Sequence, residues 1–309
     1  MIPTQVAPTM RLGRGPGGTF AMGFVHKLAT ALAALQGFAG TNTLPHSRAT
    51  LFWTWLRLRL KAKLAPASRS HAVLHYRVET DDPAALAYLF FEVFAVQEYA
   101  FHSAHDRPII FDVGANIGMA TLFFKTLFPN ATIHTFEPSP RTFELLTTNI
   151  RANNLSGVTP HNLALADHDG EIEFFTDPTK GASMIASTRP ERSVQWADPA
   201  LAEKGKVRVK AARLSTFIDR EIDLLKMDIE GAEQQVLEDL AASGTLRRIR
   251  TLVIEYHHHI APQDDALAKF LRLLEDHGFG YQLRAPLRDL CSRDEFQDML
   301  IVAYRRDRH

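Results

Sequence analysis

Apolar residues along the chain fall into two repeating patterns. Short continuous runs closed by glycine, proline or acidic residues, such as Ile109–Val113 and Thr132–Phe136, read as strands buried on both faces. Longer segments between them, Met119 to Phe128 closed by Pro129-Asn130 and then Ser139 to Asn153, read as crossover helices. The alternation continues through strands at Val158 to Leu165, Leu224 to Ile229 and Thr251 to His257, a helix over 263–277 ended by Gly278, and a last strand at Met299 to Tyr304. Such alternation predicts an α/β fold, with a mostly parallel sheet covered by helices on both faces. Glu171 to Thr176 and Lys206 to Ala212 read as an inserted antiparallel pair. The polar excursion between them, 177–205, is long enough to form a substrate loop or lid.

Upstream the pattern weakens. Residues 1–18 carry Pro3, Pro8, Pro16 and four glycines among few apolar residues, and are expected to be a mobile tail. Residues 20–38 and 48–64 read as helices. In the second, Leu51, Trp53, Trp55, Leu56, Leu58 and Leu60 are interleaved with Arg57, Arg59, Lys61 and Lys63. We read its apolar face as packing on the following domain rather than lying on a membrane. Residues 71–80 suggest an edge strand, and Asp82-Pro83 opens a helix running to Tyr99, whose Phe90, Phe91 and Phe94 read as core. The chain thus divides into a tail, a helical extension over 19–80 and an α/β domain over 81–309.

The first strand stops in Asp112-Val113-Gly114-Ala115-Asn116-Ile117-Gly118. Glycines at either end let the backbone pass close to a neighbour and pack on the next helix. A dinucleotide turn needs a middle glycine so that a pyrophosphate can reach backbone amides at the helix N-terminus. Here Asn116 stands in its place, which disfavours NAD. The turn suits a cofactor without phosphates, whose zwitterionic amino acid can meet backbone amides, the Asn116 amide and the Asp112 carboxylate. S-adenosylmethionine fits that description. The second strand ends in Glu137-Pro138; proline holds Glu137 extended at the sheet edge, 23 residues beyond Gly114, near the spacing at which an acid receives a ribose diol.

Three blocks in this order, the Asp112–Gly118 turn, Phe136-Glu137-Pro138-Ser139-Pro140 and Asp223-Leu224-Leu225-Lys226-Met227-Asp228-Ile229-Glu230-Gly231-Ala232-Glu233, resemble the FkbM-type methyltransferases. The resemblance spans roughly residues 90 to 305. It implies a class I, Rossmann-like methyltransferase fold with seven strands. It further implies dependence on S-adenosylmethionine and O-methylation of small metabolites or sugars. It also supports Glu98-Tyr99, just before the first strand, as a contact to the methionine end.

Parallel strands end on one side, so the residues at their carboxyl ends should meet in a crevice. Ala164 and Leu165 are expected to face the adenine, with Asp167 or backbone groups at its amino edge. In the fourth strand Lys226, Asp228 and Glu230 share one side, a breach of the apolar pattern of a central strand that tends to mark function. A buried, self-satisfying Lys226–Asp228 pair is the plainer alternative. In the fifth strand Glu255 and His257 share a face, whereas His258 and His259 read as rim residues. Methyl transfer to a hydroxyl needs positioning and a base; the candidates are His257 as a neutral imidazole, or Asp228, with Lys226 holding Asp228 charged or orienting the acceptor. Asp228, Glu255 and His257 could hold a divalent ion, but Lys226 beside Asp228 would repel it, so a metal-independent enzyme is expected. A nicotinamide-dependent oxidoreductase is the alternative class; a silent cofactor-binding scaffold would lack the polar groups of the fourth and fifth strands.

Composition adds limits. Lys plus Arg (35) balances Asp plus Glu (35), which points away from nucleic acid or another polyanion; the small hydroxyl-bearing acceptor is what the resemblance implies. One cysteine, Cys291, excludes an internal disulfide framework and a cysteine-based zinc cluster. No apolar run reaches the roughly 20 residues that span a bilayer. Arg11 and Arg14 precede an Ala/Leu-rich stretch faintly like a signal peptide, but His26, Lys27 and Gln36 interrupt it, so a cytoplasmic location is expected.

Overall fold

The computed structural model describes residues 37–38, 40–176, 186–189, 205–260, 266–285 and 296–306. The tail expected over 1–18, nearly all of the helix expected over 20–38, most of the 177–205 excursion, and Cys291 lie outside the described residues. In chain order the described elements are α1 (Arg48–Leu64), β1 (Ser70–Val73), β2 (Tyr76–Glu79), α2 (Pro83–Phe90), β3 (Ile109–Val113), α3 (Met119–Leu127), β4 (Thr132–Phe136), α4 (Pro140–Ala152), β5 (Val158–His161) and β6 (Ala164–Leu165). They continue with β7 (Gly170–Phe175), β8 (Lys206–Ala212), β9 (Ile222–Met227), α5 (Glu233–Ala242), β10 (Ile249–His258), α6 (Leu267–Asp276), β11 (Phe279–Arg284) and β12 (Gln297–Arg305).

Seven strands form one sheet in the order β11-β12-β10-β9-β3-β4-β5. β5, β4, β3, β9 and β10 are parallel, and β12 runs antiparallel to both β10 and β11. One face buries a core shared by α1, α2 and α3, with Leu51, Phe90, Phe94 and Phe123 at its centre; the other buries Leu225, Leu237, Ile254 and Phe270 beneath α5 and α6. This is the class I architecture expected. The chain winds outward from β3 in both directions, so the crevice at a topological switch point opens above the carboxyl ends of β3 and β9.

Several elements differ from expectation for identifiable reasons. Residues 71–80 form a two-stranded hairpin outside the main sheet, turning at Leu74 in the left-handed region. Asn149 of α4 and Asn153, which caps that helix, hold it by accepting the N–H groups of Glu79 and Arg77 respectively. The helix expected from Asp82 to Tyr99 is α-helical only to Phe90 and then widens into a π-helix, Phe91–Val96. It ends at Gln97, whose side chain accepts from Thr43 at 2.9 and 2.8 Å and donates to Asn42 at 2.7 Å, anchoring the segment before α1. The third strand is split: β5 carries Pro160 at the sheet edge, Asn162 donates to the carbonyls of Glu137 and Pro138, and β6 joins a separate sheet with β8 and β7. β11 went unforeseen because only Phe279 and Gly280 of it are buried, leaving no alternation to read. α1 packs as expected through Leu51, Trp55 and Leu58, with Trp53, Leu60 and Leu64 outward. Among the described residues no helix is long and apolar enough to cross a membrane.

A ladder of rings crosses the β3–β4–β5 edge: Phe111 on His134 at 4.9 Å, His134 on His161 at 5.5 Å, and Phe136 on His161 at 4.6 Å. His134 Nδ1 and His161 Nε2 are 3.2 Å apart, a contact that works only while one ring supplies a lone pair. Burial, reinforced by His134, lowers the His161 pKa to about 4. The unfolded chain therefore takes up a proton near pH 6.5 that the folded chain resists. This contribution to stability is complete above about pH 6.5 and is lost as pH falls towards 4. Thermal unfolding of His161→Phe across that range should show a shallower fall than the parent chain; parallel curves would refute the coupling.

Candidate active site

The site begins where β9 passes beneath the β3 turn. Asp112 lies beside Lys226 and Val113 beside Met227, and the Asp228 N–H donates to the Val113 carbonyl at 3.1 Å. Gly114 has φ of 76°, and a Cβ there would stand 1.7 Å from the Asp228 carbonyl oxygen. Only glycine fits. Lys226 is buried, and its ammonium donates to the carbonyls of Gly114 at 2.7 Å and Val113 at 3.2 Å, with Asp112 Oδ1 at 3.5 Å and Asp228 Oδ2 at 3.7 Å. The turn is thus clamped from below by a cation.

Its amides are satisfied internally. The N–H groups of Gly114 and Ala115 both donate to the Phe136 carbonyl at 3.0 Å, Ile117 donates to Asn116 Oδ1 at 2.7 Å, and Gly118 to the Ala115 carbonyl at 2.9 Å. Asn116, left-handed at φ 50°, gives its N–H to Glu137 Oε2 at 3.0 Å, while Ser139 N–H holds Glu137 Oε1 at 2.9 Å. Glu137 is therefore pre-oriented at the end of β4. Burial raises its pKa to about 7 despite those two bonds.

Above this floor lies a pocket of about 570 Å³. Val113, Met119, Phe136, Leu163, Leu165 and Phe174 supply apolar wall. The acids on the wall are Asp82, Glu92, Glu137, Asp228, Glu230, Glu255 and Asp298, against one basic side chain, Lys226, among the described residues. Crowded, desolvated carboxyls resist ionisation. Burial and then Glu98 push Glu92 well up, and burial and then Asp228 do the same to Glu255.

The family model described as "Methyltransferase FkbM domain" matches residues 112–281, more than half of the chain. The protein belongs to the FkbM methyltransferase family. "Methyltransferase 1" of Beauveria bassiana is 32% identical over 220 residues, covering 66% of this chain and 86% of that protein. "31-O-demethyl-FK506 methyltransferase FkbM" of Streptomyces tacrolimicus is 32% identical over 216 residues, 62% of this chain and 81% of that one. "2-O-methyltransferase NoeI" of Sinorhizobium fredii is 28% identical over 159 residues, 48% and 63% respectively.

In this FkbM-family methyltransferase the pocket wall brings together Tyr99, Gly114, Ala115, Asn116, Glu137, Ala164, Leu165, Lys226, Asp228 and Glu255. The remaining expected residues lie elsewhere. Asp112 is fully buried under the turn, its Oδ2 accepting from Thr121 at 2.7 Å, so the expected contact to an amino acid is replaced by a structural one. Gly118, at φ 95°, starts α3 against Leu146. Glu98 accepts from Arg284 at 2.6 Å, and Asp167 is exposed beside His168 at 2.7 Å, outside the pocket wall. His258 is buried rather than on the rim.

His257 is the largest revision. It is buried, and its Nδ1 lies 2.8 Å from Glu233 Oε1, an oxygen already receiving the Gly231 N–H at 3.0 Å. Burial opposes charging of the ring, but Glu230, Glu233 and Glu255 outweigh it and hold its pKa well above the ordinary value. The ring is absent from the pocket wall and its Nδ1 is taken by Glu233, so the structure does not present it to an acceptor as the sequence pattern predicts. Sequence reasoning missed Glu92, Asp298 and Glu233. The spacing of Glu233 three residues beyond Glu230 was visible, but only the left-handed backbone at Glu230 and Gly231 shows that both side chains turn back to His257.

Removing the ammonium of Lys226 leaves Asp112 buried without its cation and two carbonyls without a donor. Lys226→Met should cost about 3–5 kcal/mol of stability in denaturant unfolding. A variant as stable as the parent would show that the clamp contributes nothing.

Proposed function

We propose that the protein takes its methyl group from S-adenosylmethionine and transfers it to a hydroxyl of a small metabolite or sugar. The observation that carries this reading is a pocket lined by seven acids and one lysine, beside a turn whose amides are all occupied. A pyrophosphate needs open amides and positive charge. A sulfonium bearing an ammonium group needs the reverse, which also counts against the nicotinamide reading.

Glu137 is the residue to receive the ribose hydroxyls, since each of its oxygens keeps acceptor capacity beyond its one backbone bond. Ala164, Leu165 and Phe136 offer apolar surface to the adenine, and Tyr99 and the Asn116 side chain flank the amino-acid end. When bound, S-adenosylmethionine supplies an already cationic, electrophilic methyl group, so the protein's work is positioning and deprotonation. Positioning is worth roughly 7–11 kcal/mol in favourable cases and a placed base about 10²–10⁴-fold. Asp228 and Glu255 are the carboxyls facing the remaining space; Asp228 takes the hydroxyl proton unless a neighbouring positive charge ionises Glu255, which burial and Asp228 otherwise hold in its neutral form. Lys226 and His257 act through them: Lys226 stands 3.7 Å from Asp228 Oδ2 and His257 3.8 Å from Oδ1. The O-methylation named for the Streptomyces and Sinorhizobium relatives supports oxygen as the acceptor atom.

Glu137→Ala should weaken S-adenosylmethionine binding by about 1.5–3 kcal/mol in calorimetric titration, while NAD gives no binding heat to either chain. Equal affinity in a folded variant, or retention of NAD, would remove this reading. With a hydroxylated acceptor, Asp228→Asn and Glu255→Gln together bracket the base. The base variant should lose about 10²–10⁴-fold in turnover while its affinity for S-adenosylmethionine changes far less. Near-native turnover in both would place the proton acceptor elsewhere.

A further inference from the structure

One buried polar atom of the site lacks a hydrogen-bond partner. His257 Nε2 is buried in a side chain only 1% exposed and makes no hydrogen bond. It points among Glu230 Oε2 at 3.2 Å, Asp228 Oδ1 at 3.8 Å and Asp298 Oδ1 at 3.8 Å, none with hydrogen-bond geometry. On its other side, Nδ1 lies 2.8 Å from Glu233 Oε1, a carboxylate oxygen that also accepts the Gly231 N–H at 3.0 Å. A carboxylate behind a histidine fixes the ring's tautomer and orientation, and is the usual support of a metal-ligating imidazole.

We propose that Asp228, Glu230 and His257 form a divalent-cation site in the floor of the pocket. One ligand atom from each lies within 4.8 Å of the others, compact enough for a single ion to bridge them. The backbone is bent to produce this set. Glu230 is a non-glycine residue at φ 55°, followed by Gly231 at φ 109°, so its carboxylate returns to the sheet edge beside Asp228 instead of pointing away. Asp228 and Glu230 also line the pocket, which leaves coordination positions open on the solvent side. Two carboxylates and an imidazole suit an ion that accepts both oxygen and nitrogen, such as Mn²⁺, Fe²⁺ or Zn²⁺.

Lys226, the sequence's argument against a metal, does not stand in the way. Its ammonium is directed at the Gly114 and Val113 carbonyls and approaches Oδ2 of Asp228, whereas His257 approaches Oδ1. The lysine and the cation thus use opposite oxygens of one carboxylate. The role assigned to the ion rests on the O-methylation reading. It would bind the acceptor oxygen and stabilise the developing alkoxide, with Asp228 as its ligand; its charge would also ionise the neighbouring Glu255, to which the hydroxyl proton would pass as the O–CH₃ bond forms and the S–CH₃ bond breaks.

The test uses Mn²⁺ alone, titrated into the chelator-treated full chain without S-adenosylmethionine or acceptor, with free ion followed by electron paramagnetic resonance. The expected result is about one bound Mn²⁺ per chain. Binding should weaken at least about tenfold in Glu230→Gln and in His257→Gln, and by less than threefold in Asp298→Asn. Calorimetry with S-adenosylmethionine on the same samples shows that each variant is folded. It also separates the two ideas, because loss of cofactor binding with intact Mn²⁺ uptake would sink the methyl-donor reading alone. No uptake by the parent chain would overturn the site. Uptake unchanged in Glu230→Gln, or abolished only by Asp298→Asn, would overturn the assigned ligands.

Discussion

The interaction on which the structure depends is the one between Lys226 and the backbone of the β3 turn. A lysine in the centre of a parallel sheet is costly to desolvate, and a pair with a single aspartate seldom recovers that cost. Here two carbonyls and two carboxylates, from Asp112 and Asp228, surround the ammonium. The hydrogen bonds do what the ion pair alone would not. They tie the end of β9 to the end of β3 at the switch point and require glycine at 114, where any Cβ would strike the Asp228 carbonyl.

A consequence of that arrangement is where charge remains. With its amides turned inward and its lysine occupied from below, the turn offers the pocket no positive surface, while β4, β9, β10 and the π-helical segment each deliver an acid to the wall. Carboxyls crowded out of water share protons or take up a cation. The pocket wall is thereby strongly acidic before any shape is considered, a surface complementary to cationic groups and unfavourable to phosphates. The glycine turn, common to both kinds of nucleotide-binding α/β protein, becomes specific through what lies around it.

The sheet, its order of elements and the glycine turn were readable because they rest on local rules. Continuous apolar strands, a proline after Glu137 and caps such as Ser139 before α4 need no knowledge of distant partners. The hairpin, the π-helix and the split third strand were not readable, because each is decided by a side chain far away in sequence: Asn149 for Glu79, Gln97 for Thr43, Asn162 for the Glu137 carbonyl. β11 has no pattern of its own and exists because β12 offers it an edge.

The sequence by itself determined which residues arrive at the carboxyl edge, since strand direction and period are fixed by chain chemistry. It placed Glu137, Lys226, Asp228, Glu255 and His257 there, and all five are there. Only the tertiary structure decided what each faces. Asp112 turns under the turn, Lys226 towards carbonyls, and His257 into a nest of carboxylates. The reason is that position along a strand is a one-dimensional property, whereas protonation and partnership depend on burial and on charges brought together from separate segments.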